Sequence, residues 1–315
     1  MLAILLALAS AAGYGGSDYA GGLAARRGNV IRITILAQAV AAALMIFILP
    51  LAGLPAPSPG GLAWGAAAGV GEAIGALALY AGFRDAAFSV AGPISAVGSA
   101  GFSVLAGLLL GERPGMLAMI GIGLALPAII GVSASPESAR PGRGRPGHAT
   151  PGRPEPHRDE PGQGRPAESR RAGSGLLSAG VIWGLLAGAS FALLFIALNR
   201  AGGGSGPWPL VASQFTALAV VVCLGAATGE ARLPARHAAG PAALTGVTGA
   251  AGEGLYFYAT HAGLLAVTAV LTSLYPALTI ALARLLQGER LTVTRLTGLC
   301  LAAASVGLIA AAGAS

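Results

Sequence analysis

Lysine is missing from this chain altogether: its 19 basic residues are all arginine, and only 10% of its 315 residues are charged. A soluble domain carries about 25% charged residues, so neither a soluble enzyme nor a soluble nucleic-acid binder fits. The two cysteines, Cys223 and Cys300, both lie in apolar segments and read as small core residues, since two such residues build neither a disulfide framework nor a metal site. No Gly-x4-Gly-Lys-[Ser/Thr] loop occurs, which removes the usual cradle for ATP phosphates. Neither a His-Glu-x-x-His pair nor a Gly-x-Ser-x-Gly elbow is present, so no enzymatic chemistry, cofactor or metal is expected.

What remains is apolar. Hydrophobic residues make up 55% of the chain and the mean hydropathy is +0.73. Charge is also concentrated: 13 of the 31 charged residues fall between Glu137 and Arg171. Outside that stretch the segments suit a bilayer, where about 20 apolar residues span the hydrocarbon. The net charge of +7 could suggest nucleic acid, but the arginines stand at the ends of apolar segments or in the polar stretch, where membrane topology accounts for them. With 50 Gly and 20 Pro, the absence of lysine looks like codon bias. The opening MLAILLALASAAGYGGSDYAGG lacks the charged start and polar exit of a cleaved signal peptide and reads as a first transmembrane helix.

Apolar runs bounded by Gly, Pro or Arg predict helices near 2–22, 30–53, 62–82, 87–110 and 115–133, then 175–198, 208–227, 240–260, 264–286 and 292–313. Between the two sets, residues 134–174 hold eight Pro, eight Arg and five acids without hydrophobic periodicity, the composition of a disordered linker. The chain thus divides into a five-helix unit over 1–133, the linker over 134–174 and a second five-helix unit over 175–315.

The units echo each other. Leu109-Leu110-Gly111-Glu112-Arg113 returns as Leu286-Gln287-Gly288-Glu289-Arg290, and the same offset of 177 matches Arg84 with His261 and Ser99 with Pro276. Gly16-Ser17-Asp18-Tyr19 also matches Gly188-Ala189-Ser190-Phe191. An odd number of helices per unit inverts the second relative to the first, a plan common among secondary transporters.

These residues carry a family resemblance. Two five-helix units, each closing its fourth helix with an L-x-G-E-R turn, together with the Tyr14 to Gly22 opening, Ala91-Gly92-Pro93-Ile94 and Leu274-Tyr275-Pro276, resemble the EamA domain of the drug/metabolite transporter superfamily. The resemblance implies an all-α polytopic membrane protein of ten transmembrane helices in two inverted repeats, with a central cavity and an exporter-like role. Ser99 against Pro276, and Asp18 against Ser190, imply that the halves are not functionally equivalent.

Three acids fall inside predicted spans: Asp18, Glu72 and Glu253. An ionisable group there costs roughly 2.5–3.5 kcal/mol on insertion scales unless paired or hydrated. Asp18, among Tyr14, Gly15, Gly16, Ser17 and Tyr19, is a candidate to exchange a proton for a cationic substrate; pairing with Arg26 or Arg84 to hold two helices together is the structural alternative. Glu72 and Glu253 each follow a glycine in their repeat's third predicted helix, as a substrate- or proton-binding pair or as helix-packing contacts. Tyr14, Tyr19, Tyr256 and Tyr258 join them as binding candidates. Tyr80, Trp183, Phe191 and Tyr275 could also line a cavity, while Trp64, Trp183 and Trp208 suit membrane interfaces. Pro93 and Pro276 are hinge candidates, and the two Glu-Arg pairs of the repeated turn read as loop caps or interfacial anchors.

The expected function is secondary transport of a small molecule across the plasma membrane, by export, with proton coupling through Asp18 as one form and a facilitative permease or importer as the other; a scaffold or lipid enzyme is a third reading. The expected partners are a small-molecule substrate and the bilayer, without nucleic acid, and a monomer and a homodimer both fit. The arginine count favours a cytoplasmic linker and external termini, opposite to the arrangement the resemblance implies.

Overall fold

The computed structural model describes residues 1–48, 56–85, 88–133, 167–277 and 292–312. Among them are ten α-helices and no strand: α1 (Leu2–Ala25), α2 (Val30–Ile48), α3 (Pro59–Asp85), α4 (Phe88–Leu109), α5 (Met116–Ser133), α6 (Ala167–Arg200), α7 (Trp208–Ala227), α8 (Arg236–His261), α9 (Leu265–Thr272) and α10 (Val293–Ala312). α6 starts eight residues before the predicted 175, because Ala167-Glu168-Ser169-Arg170-Arg171 is favourable helix sequence following Pro166. The predicted Glu289-Arg290 pair and most of the predicted linker lie outside the described residues.

By length and composition, five helices are long and apolar enough to cross a membrane: Val30–Phe47, Pro59–Arg84, Ala91–Leu109, Ala179–Arg200 and Trp208–Ala227. α1 and α8 have the length, but glycine, hydroxyl and acidic residues dilute their apolar character. Large side chains such as Phe47, Leu109, Ile182 and Phe215 point outward, as lipid contact requires.

In a bilayer the helices gain little from the hydrophobic effect on meeting each other, so association rests on close packing of small residues and on interhelical hydrogen bonds. α1 and α8 illustrate this. A Cβ on Gly13 would lie 2.7 Å from the Cα of Gly252. Beside that crossing, the Ser10 hydroxyl donates to Gly252 O at 2.7 Å and the Ser17 hydroxyl to Thr245 O at 3.2 Å. α3 meets α6 in the same manner, with Gly71 against the Ser190 carbonyl. The principal pairs are α1 with α8 and α3 with α6, α2 with α8 and α3 with α7, α4 with α6 and α1 with α9, then α5 with α10, α2 with α7 and α4 with α9. Replacing each helix by the one five places away leaves this set of pairs unchanged.

The crossings also fix the correspondence between halves. Gly71 in α3 stands where Gly252 stands in α8: a Cβ on Gly71 would meet Ser190 O and Leu194 N, and one on Gly252 would meet Ser10 O and Tyr14 N, so Ser10 matches Ser190 and Tyr14 matches Leu194. This revises the match of Asp18 with Ser190: by packing, Asp18 corresponds to Leu198.

The Leu109-Leu110-Gly111-Glu112-Arg113 turn has a defined role. α4 ends on Gly111 at φ 91°, a left-handed conformation suited to glycine. The chain folds back so that the Glu112 amide donates to Gly107 O at 2.9 Å. The Glu112 carboxylate then accepts the first free amides of α9, Leu265 N at 2.6 Å and Ala266 N at 2.9 Å. Gly107 makes room for it, since a Cβ there would lie 2.5 Å from Glu112 Oε2.

The two hinge candidates differ. α4 runs on through Pro93. α9 stops at Thr272, three residues before Tyr275 resumes a helical turn, and the Ala277 amide bonds Leu274 O at 2.9 Å. Pro276 has no N–H to offer the Thr272 carbonyl four residues back. At this interruption the Ser99 and Ser273 hydroxyls meet at 3.0 Å, the Tyr275 hydroxyl donates to Ser95 Oγ at 3.4 Å, and Thr272 reaches Ala7 O at 3.4 Å.

Removing the α9 cap gives a direct test of the turn. Glu112→Ala is expected to destabilise the detergent-purified protein by about 1 kcal/mol, seen as a lower thermal unfolding midpoint, whereas Arg113→Ala at the neighbouring exposed position leaves the midpoint unchanged.

Candidate functional site

α1, α2 and α3 of the first half, with α6 and α8 of the second, line a small, partly open cavity. Its wall includes Tyr14, Ser17 and Asp18 from α1, Thr34 and Gln38 from α2, Glu72 and Tyr80 from α3, Phe191 from α6 and Thr245 from α8. Alanines and glycines complete it: Ala37, Ala41, Ala76, Gly246, Gly249 and Ala250. Small residues at these places let α8 approach α1 and α2 while leaving room between them.

Asp18 is 8% exposed and faces this space without a hydrogen bond or ion pair to any described residue. An unpaired buried carboxylate is costly, so a positive species belongs beside it. Neither Arg26 nor Arg84 bonds Asp18, which leaves the carboxyl available to the cavity.

Glu72 and Glu253 are brought together by a residue that charge alone does not reveal. The Gln214 amide, on α7, donates to Glu72 at 3.3 Å and also to Glu253. Gln38, on α2, donates to Glu72 Oε1 at 3.1 Å. Each half thus contributes a glutamine from its second helix and a glutamate from its third, hydrogen-bonded within the half, and Gln214 links the two sets. Glu72 lines the cavity, while Glu253 is 1% exposed and lies behind it. Around Glu253 the polar supply is incomplete: Glu253 Oε1, Gln214 Oε1, Ser213 Oγ and Tyr14 Oη are buried without hydrogen-bond partners. The sequence signal was present, because Gln38 and Gln214 are the glutamines inside apolar segments, the other two being Gln163 and Gln287.

The tyrosine candidates separate. Tyr14 lines the cavity and meets Phe195 edge to face at 6.0 Å between ring centroids. Tyr256 is fully buried, stacks on Phe195 at 4.4 Å and donates to the Phe195 carbonyl at 3.2 Å, so it packs rather than lines. Tyr258 is 51% exposed and packs its ring against Phe257 on the outward side of α8, and Tyr19 is not among the lining residues. Tyr80 and Phe191 do line the cavity. Phe195, Tyr256 and Phe257 join Leu194, Leu198 and Leu265 in one buried cluster. It fills the bundle between the glutamates and the end that carries Glu112, closing the cavity in that direction.

Comparison with known proteins places this architecture. The model of the EamA-like transporter family matches residues 1–134 and again residues 178–311. The chain belongs to the EamA-like transporter family. It is therefore a multi-pass membrane protein of the drug/metabolite transporter type, from a family of transporters and not of enzymes. One solved crystal structure, among 17 chains that match, is similar over 95% of this chain and 95% of its own, with a TM-score of 0.66 and 14% identity. At that identity the likeness concerns the fold of this EamA-like transporter alone. No curated protein sequence matches it.

Gln214 should be the more critical of the two amides, since it alone contacts both carboxyls. Gln214→Leu is expected to destabilise the purified transporter by about 1–3 kcal/mol through stranded acceptors, and Gln38→Leu by less, as read from thermal unfolding in detergent.

Proposed function

We propose that this EamA-like transporter is a ten-span secondary exporter of the plasma membrane, passing a small metabolite or amphipathic compound by alternating access with Asp18 exchanging a proton for substrate. The observation that carries this reading is the Asp18 carboxyl, buried in a cavity bounded by helices of both halves and without a bonding partner. Such a group needs a positive species in every state of the cycle, and proton and substrate can alternate in supplying it.

The transport cycle follows from two five-helix repeats, over 1–133 and 175–315, joined by the 134–174 segment. The packing that survives exchange of each helix for its counterpart supports an inverted two-fold relation between them. The contents of the two halves break that relation: Asp18 faces the cavity, and its counterpart Leu198 belongs to the buried cluster around Phe195. Rocking of one repeat against the other would move the opening from one side of Glu72, Gln214 and Glu253 to the opposite side. The interrupted α9 at Pro276 offers a hinge for that motion. The partners are a small molecule and the bilayer.

In proteoliposomes with an imposed pH gradient and a proton-sensitive dye, one class from a panel of amino acids, purines, sugars and lipophilic cations is expected to release protons through the wild type and not through Asp18→Asn. Unchanged pH dependence of transport in Asp18→Asn would instead identify a facilitative permease or an importer without ion coupling.

A further inference from the structure

The cavity is charged in one sense only. Among the described residues its lining contains two carboxyls, Asp18 and Glu72, with Glu253 directly behind, and no arginine or histidine. The rest of the wall is the Gln38 amide together with aromatic, hydroxyl or small groups: the rings of Tyr14, Tyr80 and Phe191, four alanines, two glycines, and the hydroxyls of Ser17, Thr34 and Thr245. An anion entering this space would meet like charge with only uncharged donors to offset it, and the carboxylate of a zwitterion would do the same. A cation would meet carboxylates and aromatic faces together.

The two lining carboxyls also stand at different depths. Tyr14 and Gly252 are level, since a Cβ on Gly252 would lie 3.0 Å from Tyr14 N, and Glu253 adjoins Gly252. Glu72 shares the Gln214 amide with Glu253 and so belongs to this level. Asp18 follows Tyr14 by one turn of α1, about 6 Å along the axis. That separation is comparable to an extended four-carbon chain. The Ala37 and Ala76 methyls and the Tyr14 ring also line this space.

We propose that the substrate is an organic cation, and that the cavity is built for a linear aliphatic diamine with one ammonium at Asp18 and the other at Glu72. The assignment rests on the transport reading above and narrows it to a chemical class. Asp18, lacking any partner of its own, takes the first ammonium in place of a proton. Glu72 takes the second, its carboxylate already oriented by the Gln38 and Gln214 amides.

Four solutes on one four-carbon chain test this by charge alone: putrescine as dication, n-butylamine as monocation, γ-aminobutyrate as zwitterion and succinate as dianion. Radiolabelled uptake of each is measured in proteoliposomes against protein-free vesicles. Putrescine is expected to be taken up with an apparent affinity about tenfold above that of n-butylamine, the equivalent of one additional ion pair of about 1.4 kcal/mol. The zwitterion and dianion should not enter above background. In Glu72→Gln, with monodispersity checked by size exclusion, the putrescine to n-butylamine ratio should fall toward one; Asp18→Asn supplies the same test from the other end. Equal affinity for the two amines in wild type overturns the two-point site. Uptake of succinate or γ-aminobutyrate in preference to the amines overturns the cation assignment while leaving transport itself standing. If none of the four enters, the diamine assignment fails, and the dye assay on the wider solute panel decides separately whether the chain transports at all.

Discussion

Carboxyl groups set inside a helix bundle, in a cavity that no basic residue among the described ones lines, form the constraint on which the rest of this structure depends. Each ionised carboxyl demands a counter-charge or donors in a medium that supplies neither. The protein meets that demand in two ways. Glu72 and Glu253 are held by the Gln38 and Gln214 amides, polar and uncharged, which tie together α2, α3, α7 and α8. Asp18 is left to the cavity. A site that satisfied every carboxyl internally would have nothing to offer a ligand, whereas a site that satisfied none would not fold.

Backbone proximity makes this arrangement possible. At the Gly13 and Gly252 crossing, α1 and α8 approach until backbone meets backbone, and Ser10 and Ser17 convert the approach into hydrogen bonds. That contact brings Tyr14 beside Glu253 and Ser17 beside Thr245, so the glycines position the polar groups without touching a ligand. At the end bearing Glu112, the same economy of small residues lets a carboxylate reach over Gly107 and close the start of α9. An acid inside the bundle and an acid at its rim therefore do different work: one waits for a cation, the other satisfies backbone amides.

The halves share a packing plan and differ in what fills it. Where α1 offers Asp18 to open space, α6 offers Leu198 to the buried cluster around Phe195 and Tyr256. An aromatic plug on one side of the glutamates and a polar cavity on the other give the molecule a direction. Pro276 adds a second asymmetry, since its counterpart Ser99 leaves α4 continuous and instead places a hydroxyl against Ser273 at the interruption of α9.

Hydropathy and punctuation in the sequence determined the helical class, most helix boundaries among the described residues and the identity of the three acids within apolar helices, because burying charge or backbone in lipid is so costly that few alternatives survive. The repeated turn showed its importance by recurring, although its partner at α9 lies 152 residues from Glu112 in Leu265, counting the residues between. Tertiary structure alone decided which way each helix faces. Helices apolar all round carry little periodic signal, since lipid and protein interior prefer the same side chains. For that reason Tyr258 pointed outward and Tyr256 into packing, when sequence position treated them alike. Gln38 and Gln214 stand out in the sequence as amides within apolar segments, but only the packing of the helices sets a carboxylate beside each.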